Sequence, residues 1–178
     1  MKTVILGVTG SIAAYKAADI ANNLVKLGYN VHVVMTKAGA AFITPLTMQA
    51  ISKNRVFVDV LQEDSPDRII HVNLPQSADL LLIAPATANI IAKIATGIAD
   101  DMLSSMVLAT PDIPKIIAPA MNVRMYENTA TMENIKTLKN RGWAIIEPRE
   151  ARLVCGYVGK GALAEVSDIL SRVSEALR

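Results

Sequence analysis

Four short stretches hold most of the residues able to do chemistry. The first, Gly7-Val8-Thr9-Gly10-Ser11, joins small residues to a hydroxyl directly after an apolar run. Small residues admit a ligand close to the backbone, and the free N–H groups of a following helix favour a phosphate. The helix dipole adds about 0.3–1 kcal/mol for an anion there. The same residues equally suit a tight strand-to-helix turn with Ser11 as N-cap. The second, Pro85-Ala86-Thr87-Ala88-Asn89, offers a hydroxyl and an amide to a flat heterocycle, or an ordinary helix entry capped by Thr87. The third, Pro119-Ala120-Met121-Asn122-Val123-Arg124-Met125, places an amide between two methionines. Methionine packs on a flat ring or simply fills a core. The Asn122 amide can orient a carboxylate or make a turn. The fourth joins Cys155 to a glycine-rich run, Gly156 to Gly161, near Arg149, Arg152 and Lys160, where cations would favour a thiolate.

Two histidines complete the inventory. His32 lies within an apolar run and reads as structural. His71 follows Ile69-Ile70 where an element ends, a position open to proton transfer or to a plain hydrogen bond. One cysteine and two distant histidines lack metal-ligand spacing, so no metal is expected.

The phosphate site is not of the common nucleotide kinds. The P-loop pattern is absent. A dinucleotide site needs a tighter glycine pattern than Gly7-x-x-Gly10 and an acid at the end of the second strand. That strand ends Val34-Met35-Thr36-Lys37 instead. The hydroxyl of Thr36 suits a ribityl phosphate better than an adenosine ribose, which leaves room for a mononucleotide.

The elements that position these stretches follow from periodicity. Apolar runs predict strands at 3–8, 31–35, 80–84, 115–118 and 144–146, with 56–60 a further candidate. Helices are expected at 11–27, at 38–51 with a kink at Pro45, and at 86–95, 126–140 and 165–177, with Gly28 and Gly142 as stops. Strand, helix and strand alternate within about 35 residues, which is a βαβ unit and implies parallel strands. The expected fold is a single α/β domain over 1–178, a Rossmann-like doubly wound sheet of five or six parallel strands. The stretch 156–161 reads as a loop. Ligands of such sheets bind beyond the carboxyl ends of the strands, which gathers all four stretches at one edge.

Composition sets the outer bounds. The chain has 178 residues, 52% apolar and 19% charged, which excludes disorder. Its net charge of +2 comes without a basic block, so no nucleic-acid partner is expected. Apolar residues from Val4 to Ala14 imitate a signal peptide, but Gly7, Gly10 and Ser11 interrupt them and a helical pattern follows. The uncharged stretches 38–52 and 80–92 contain proline and fall short of about 18 apolar residues, so no membrane span is expected. With a single cysteine, no internal disulfide can form, and a cytoplasmic chain is expected.

Taken in order, the blocks resemble the homo-oligomeric flavin-containing cysteine decarboxylases. The residues involved are 7–16, His71, Ile83 to Asn89, Gly97 to Asp101, Pro119 to Asn122 with Met125, and Cys155-Gly156. This resemblance implies FMN, a flavoprotein-type fold, a small-molecule cysteinyl acid as substrate, and a homo-oligomer built from trimers with the flavin near a subunit contact. It implies cofactor contacts at Gly10, Ser11, Ile12, Thr36, Ala86, Thr87, Asn89, Ala120 and Met121. Catalysis would fall to His71, Asn122 and Cys155, and substrate binding to Asn122, Met125 and Lys160. The alternatives are a peptidyl-cysteine decarboxylase of the lantibiotic type and a non-catalytic flavin-binding regulatory subunit. This sequence departs from the family pattern at Tyr126 (often tryptophan), Ile90 (threonine), Val154 (alanine) and Ala162 (arginine), with Lys160 a candidate for the missing charge. Many relatives have a fused synthetase domain, so the ligation step is expected to belong to another protein.

Overall fold

A computed structural model describes residues 1–62, 68–152 and 158–178. Five parallel strands form the central sheet: β1 (Thr3–Val8), β2 (Asn30–Met35), β3 (Leu80–Ala86), β4 (Lys115–Pro119) and β5 (Ala144–Ile145). Their order is β2-β1-β3-β4-β5, the flavodoxin-like arrangement with a switch point between β1 and β3. The 56–60 candidate contributes one parallel bridge, Phe57 to Val34, so the sheet has five strands and not six.

Strand side chains alternate between two apolar clusters, as burial on both faces demands. Val4, Leu6, Leu80 and Leu82 face a cluster shared with Ile20 and Leu24 of α1 (Lys16–Lys26), Met48 of α3 (Pro45–Ser52), and Ile169 and Val173 of α9 (Val166–Ala176). Ile5, Leu81 and Ile83 face the opposite cluster. There they meet Ile90 of α5 (Ala88–Thr96), Met102 and Met106 of α6 (Met102–Ala109), and Ile135 and Leu138 of α8 (Thr129–Asn140). Each fully buried Leu or Ile contributes about 1.5–3 kcal/mol. No helix of the described residues is long and apolar enough to cross a membrane.

Several expected boundaries move, each for a local reason. The helix expected at 11–27 starts as a 3-10 turn, Ile12–Tyr15, and becomes α1 only at Lys16. Pro45 is the first residue of a new helix, not a kink. Thr44 caps it, so α2 (Lys37–Phe42) and α3 are separate. Ala86 ends β3 and Thr87 caps α5, which therefore begins two residues later than expected. The 126–140 helix is two: α7 (Val123–Glu127) and α8, divided at extended Asn128. α4 (Ile70–Gln76) and α6 were not expected. The second is opened by a capping box between Asp101 and Ser104, and its one exposed residue, Leu108, is itself apolar, so it shows little periodicity. Finally, β6 (Arg149–Arg152) and β7 (Val158–Ala162) pair antiparallel, so residues 158–161 are strand rather than loop.

Candidate active site

The loops leaving β1, β2, β3 and β4 sit at one edge of the sheet, and each ends in a capping side chain. Ser11 Oγ accepts from the Ala13 N–H (3.2 Å), and Thr36 Oγ1 from the Gly39 N–H (3.0 Å). Thr87 Oγ1 accepts from the Ile90 N–H (3.3 Å), and Asn122 Oδ1 from the Arg124 N–H (2.9 Å). The capping and ligand-binding readings are therefore compatible. A hydroxyl that accepts as a cap keeps its O–H as a donor, and an asparagine capping through Oδ1 keeps amide hydrogens as its donors.

Buried Thr9 ties two of these loops together. Its Oγ1–H donates to the Pro85 carbonyl (2.7 Å), and its oxygen accepts from the Thr87 N–H (3.1 Å). Backbone approach is close here. A Cβ on Gly10 would lie 2.5 Å from Ala38 Cβ, and one on Gly39 2.5 Å from the Val8 carbonyl oxygen. Only glycine allows the β1 and β2 loops to pack this way.

Two hollows adjoin at this edge, sharing Gly10, Thr87 and Met125. The first, about 670 Å³, is lined by Ser11, Ile12, Ala120, Met121, Asn122 and the β7 residues Gly161 and Ala162. Lys16 and Arg149 also line it, with no carboxylate among the described lining residues. Lys16 makes no ion pair among the described residues, whereas Arg149 donates to the Leu163 carbonyl (3.0 Å) and pairs with Glu165 (3.2 Å). The second hollow, about 560 Å³, is lined by Thr36, Lys37, Asn89, Lys93 and three aspartates, Asp59, Asp100 and Asp101. Lys93 binds Asp100 (2.5 Å) and Asp101 (2.8 Å). Burial would lower the lysine, but the two carboxylates raise it. Burial likewise opposes ionisation of Asp101, yet hydrogen bonds from Lys93 and Ser104 bring it below its ordinary value. The first hollow thus holds in Lys16 a cation with no ion-pair partner among the described residues, whereas the second sets two lysines against three aspartates. Both volumes fall in the range of small-molecule sites.

The expected site residues divide accordingly. Gly10, Ser11, Ile12, Thr87, Ala120, Met121, Asn122 and Met125 line the first hollow, and Thr36 and Asn89 the second. Ala86 lines neither. It is buried, and its carbonyl accepts the Ala120 N–H (3.0 Å), which ties the β3 and β4 loops together. Lys160 lines neither hollow: its ammonium binds Glu147 (2.9 Å). His71 lies in the first turn of α4, which packs on α6, and lines neither hollow of its own chain. Cys155 lies outside the described residues. Sequence reasoning missed Thr9, Lys16 and Arg149 as site residues. Thr9 and Lys16 stood inside the first motif without a role, and Arg149 was marked only as a cation near Cys155.

The Flavoprotein family matches residues 1–178. The chain is 50% identical over 177 residues to a protein of Streptococcus mutans serotype c named "Probable phosphopantothenoylcysteine decarboxylase", covering 99% of each. It is 48% identical over 169 residues to the coenzyme A biosynthesis bifunctional protein CoaBC of Bacillus subtilis, and spans 41% of that protein's length. Among solved structures it resembles a cysteine-to-serine mutant of PPC decarboxylase complexed with pantothenoylaminoethenethiol. The TM-score is 0.87 at 31% identity, covering 98% of this chain and 97% of the other. It also resembles SpaF, an FMN-dependent cysteine decarboxylase, with TM-score 0.87 at 32% identity, covering 99% and 95%.

Proposed function

The chain belongs to the Flavoprotein family, and from that premise we propose that it is an FMN-dependent decarboxylase that converts phosphopantothenoylcysteine to phosphopantetheine in coenzyme A synthesis. The full-length likeness to the streptococcal protein supports the activity. The observation that carries the reading is the first hollow. It gathers Gly10, Ser11, Thr87, Met121 and Asn122 in one lining with two cations and, among the described residues, no carboxylate.

These residues fit a flavin mononucleotide. Close backbone packing at Gly10, with the hydroxyls of Ser11, Thr36 and Thr87, suits a ribityl phosphate at helix N-termini. Asn89 adds an amide, and Ile12, Ala120 and Met121 supply apolar surface for a ring. Bound FMN supplies the two-electron acceptor and donor that cysteinyl decarboxylation needs, because a carbanion at that carbon has no other sink.

The chain's own groups bind, orient and move protons. The Asn122 carbonyl is committed to capping α7, so its amide N–H groups hold the substrate carboxylate and set the angle at which CO2 departs. Met125 flanks that amide in the same lining. His71 transfers the proton at the cysteinyl carbon, and Cys155 donates one in the final reduction. Lys16 and Arg149 attract the anionic phosphoryl end of the substrate. Lys160, engaged by Glu147, has a different duty.

The reading includes a homotrimer, or a multiple of trimers, and a cytoplasmic setting. Ile12 and Tyr15 at the cleft and Ile69 beside His71 are all more than half exposed, large apolar surfaces that a second copy would cover. In such an assembly the His71 turn of one copy completes the cleft of a neighbour.

The second reading is a peptidyl-cysteine substrate. Radiometric CO2 release from phosphopantothenoylcysteine, set beside release from a peptide ending in cysteine, separates them. Release from the phosphorylated acid alone is expected. Release from the peptide alone, or from neither, overturns the proposal.

A further inference from the structure

Glu147, between β5 and β6, lies in neither hollow, yet three side chains from separate elements end on its carboxylate. Its Oε2 accepts from the Tyr126 hydroxyl of α7 (2.7 Å) and the Lys160 ammonium of β7 (2.9 Å). Its Oε1 accepts from Lys139 of α8 (3.0 Å). The Lys160 ammonium also stands 5.9 Å from the centre of the Tyr126 ring.

Two of the three elements that meet at Glu147, α7 and β7, lead straight to the cleft. Tyr126 is buried one helical turn after Asn122, and its N–H donates to the Asn122 carbonyl (3.0 Å). Lys160 precedes Gly161, whose carbonyl accepts the Met121 N–H (2.9 Å). Between them, β7 lies against α7 so closely that a Cβ on Gly159 would stand 2.7 Å from Val123 Cγ2. The contacts close a ring: Glu147 to Tyr126, through α7 to Asn122 and Met121, across to Gly161, and through Lys160 back to Glu147. Isolated surface ion pairs hold little, but this carboxylate has three donors, and one is the hydroxyl of a buried phenol.

We propose that Glu147 is a positioning residue for the cleft, fixing through Tyr126 and Lys160 the placement of Asn122 and Met121 relative to the β7 wall formed by Gly161 and Ala162. Lys160 is accordingly a tie between strand and helix rather than a substrate ligand, and the tyrosine at 126 is required for its hydroxyl. The inference rests on the proposed decarboxylase reading for the identity of the ligand.

The test compares Glu147→Ala, Tyr126→Phe, Lys160→Met and the Tyr126→Phe/Lys160→Met double variant. Two readouts are taken with the FMN-loaded protein. One is KM and kcat for CO2 release from phosphopantothenoylcysteine. The other is calorimetric binding of the analogue with alanine in place of cysteine, which has no thiol to oxidise. Glu147→Ala should weaken analogue binding and raise KM about tenfold, with a smaller change in kcat and unchanged FMN per chain. The two single changes at 126 and 160 should each give part of that loss. Their combined effect should be less than the product of the two, because both act through one carboxylate. Unchanged analogue binding in Glu147→Ala overturns the inference, as do effects at 126 and 160 that simply multiply. Should Glu147→Ala fail to fold, the two milder single variants and their double decide the matter alone. A wild-type protein that binds the analogue but releases no CO2 sinks the decarboxylase reading, while the binding data still judge Glu147.

Discussion

Thr9→Val exchanges a hydroxyl for a methyl of nearly the same size at a site only 1% exposed. The change removes the donor to the Pro85 carbonyl and the acceptor for the Thr87 N–H, at 2.7 and 3.1 Å. Each bond contributes about 1 kcal/mol net, and stranding its partner adds to the cost, so a loss of about 3 kcal/mol is expected. For a domain of this size that lowers Tm by about 6–12 °C. The lost bonds join the Gly10 and Thr87 loops, both of which line both hollows. If half of the loss falls on the alignment of those loops, FMN affinity drops about tenfold. Calorimetric melting of the flavin-free protein and fluorescence titration with FMN measure the two parts separately, since bound ligand would otherwise mask the first. Thr9→Ser keeps both hydrogen bonds and should stay within about 1 kcal/mol of wild type. A valine variant with unchanged Tm and unchanged FMN affinity refutes the view that this bridge aligns the site.

Three further outcomes follow from the same geometry. Gly10→Ala places a Cβ 2.5 Å from Ala38 Cβ and 3.1 Å from the Ala38 carbonyl carbon. Flavin titration should show FMN affinity reduced at least about tenfold, and wild-type affinity would contradict the close-packing argument. His71→Asn and Asn122→Asp should each be inactive yet still bind FMN. Co-expressed mixed oligomers should regain CO2 release if neighbouring copies share a site, and no recovery would place both residues in one chain's cleft. Burial would raise the Glu147 carboxyl, but hydrogen bonds from Tyr126, Lys160 and Lys139 bring it down to about 2 from an ordinary 4.5. A depressed carboxylate stabilises the fold above its unfolded value, and that stability is lost as pH falls through its folded value. The Tm gap between wild type and Glu147→Gln should therefore be constant above about pH 5 and shrink from about pH 4.5 toward pH 2. A gap that stays flat down to pH 2 would contradict it.

The sheet was legible because its strands are buried on both faces and read as unbroken apolar runs: Val4 to Val8, Val31 to Met35 and Leu80 to Ala84 all lie in the expected strands. Loops that follow such strands had to converge, which is why the stretches holding Gly10, Thr87 and Asn122 were expected at one edge. What periodicity could not resolve were breaks made by caps. Thr44 and Asn128 each start a new helix within what reads as one helical pattern, and Thr87 sets the start of α5 two residues later than expected. α6 hid for a different reason, since Met102, Leu103, Met106 and Val107 are buried while its exposed position holds another apolar residue, Leu108, so no polar face sets a period. Hydrogen bonds between residues remote in sequence lie beyond periodicity altogether. Thr9 reaches Pro85, and Glu147 reaches Tyr126 and Lys160, only once the chain has folded. That is why the pairing of Lys160 with Glu147 could not be read from the sequence.

A structure of the protein with FMN and the alanine analogue would test the central claim most directly. The account predicts the flavin ring against Ile12, Ala120 and Met121, the ligand carboxylate on the Asn122 amide, and the phosphoryl end beside Lys16 and Arg149. A flavin bound elsewhere, or a carboxylate beyond reach of Asn122, would contradict it.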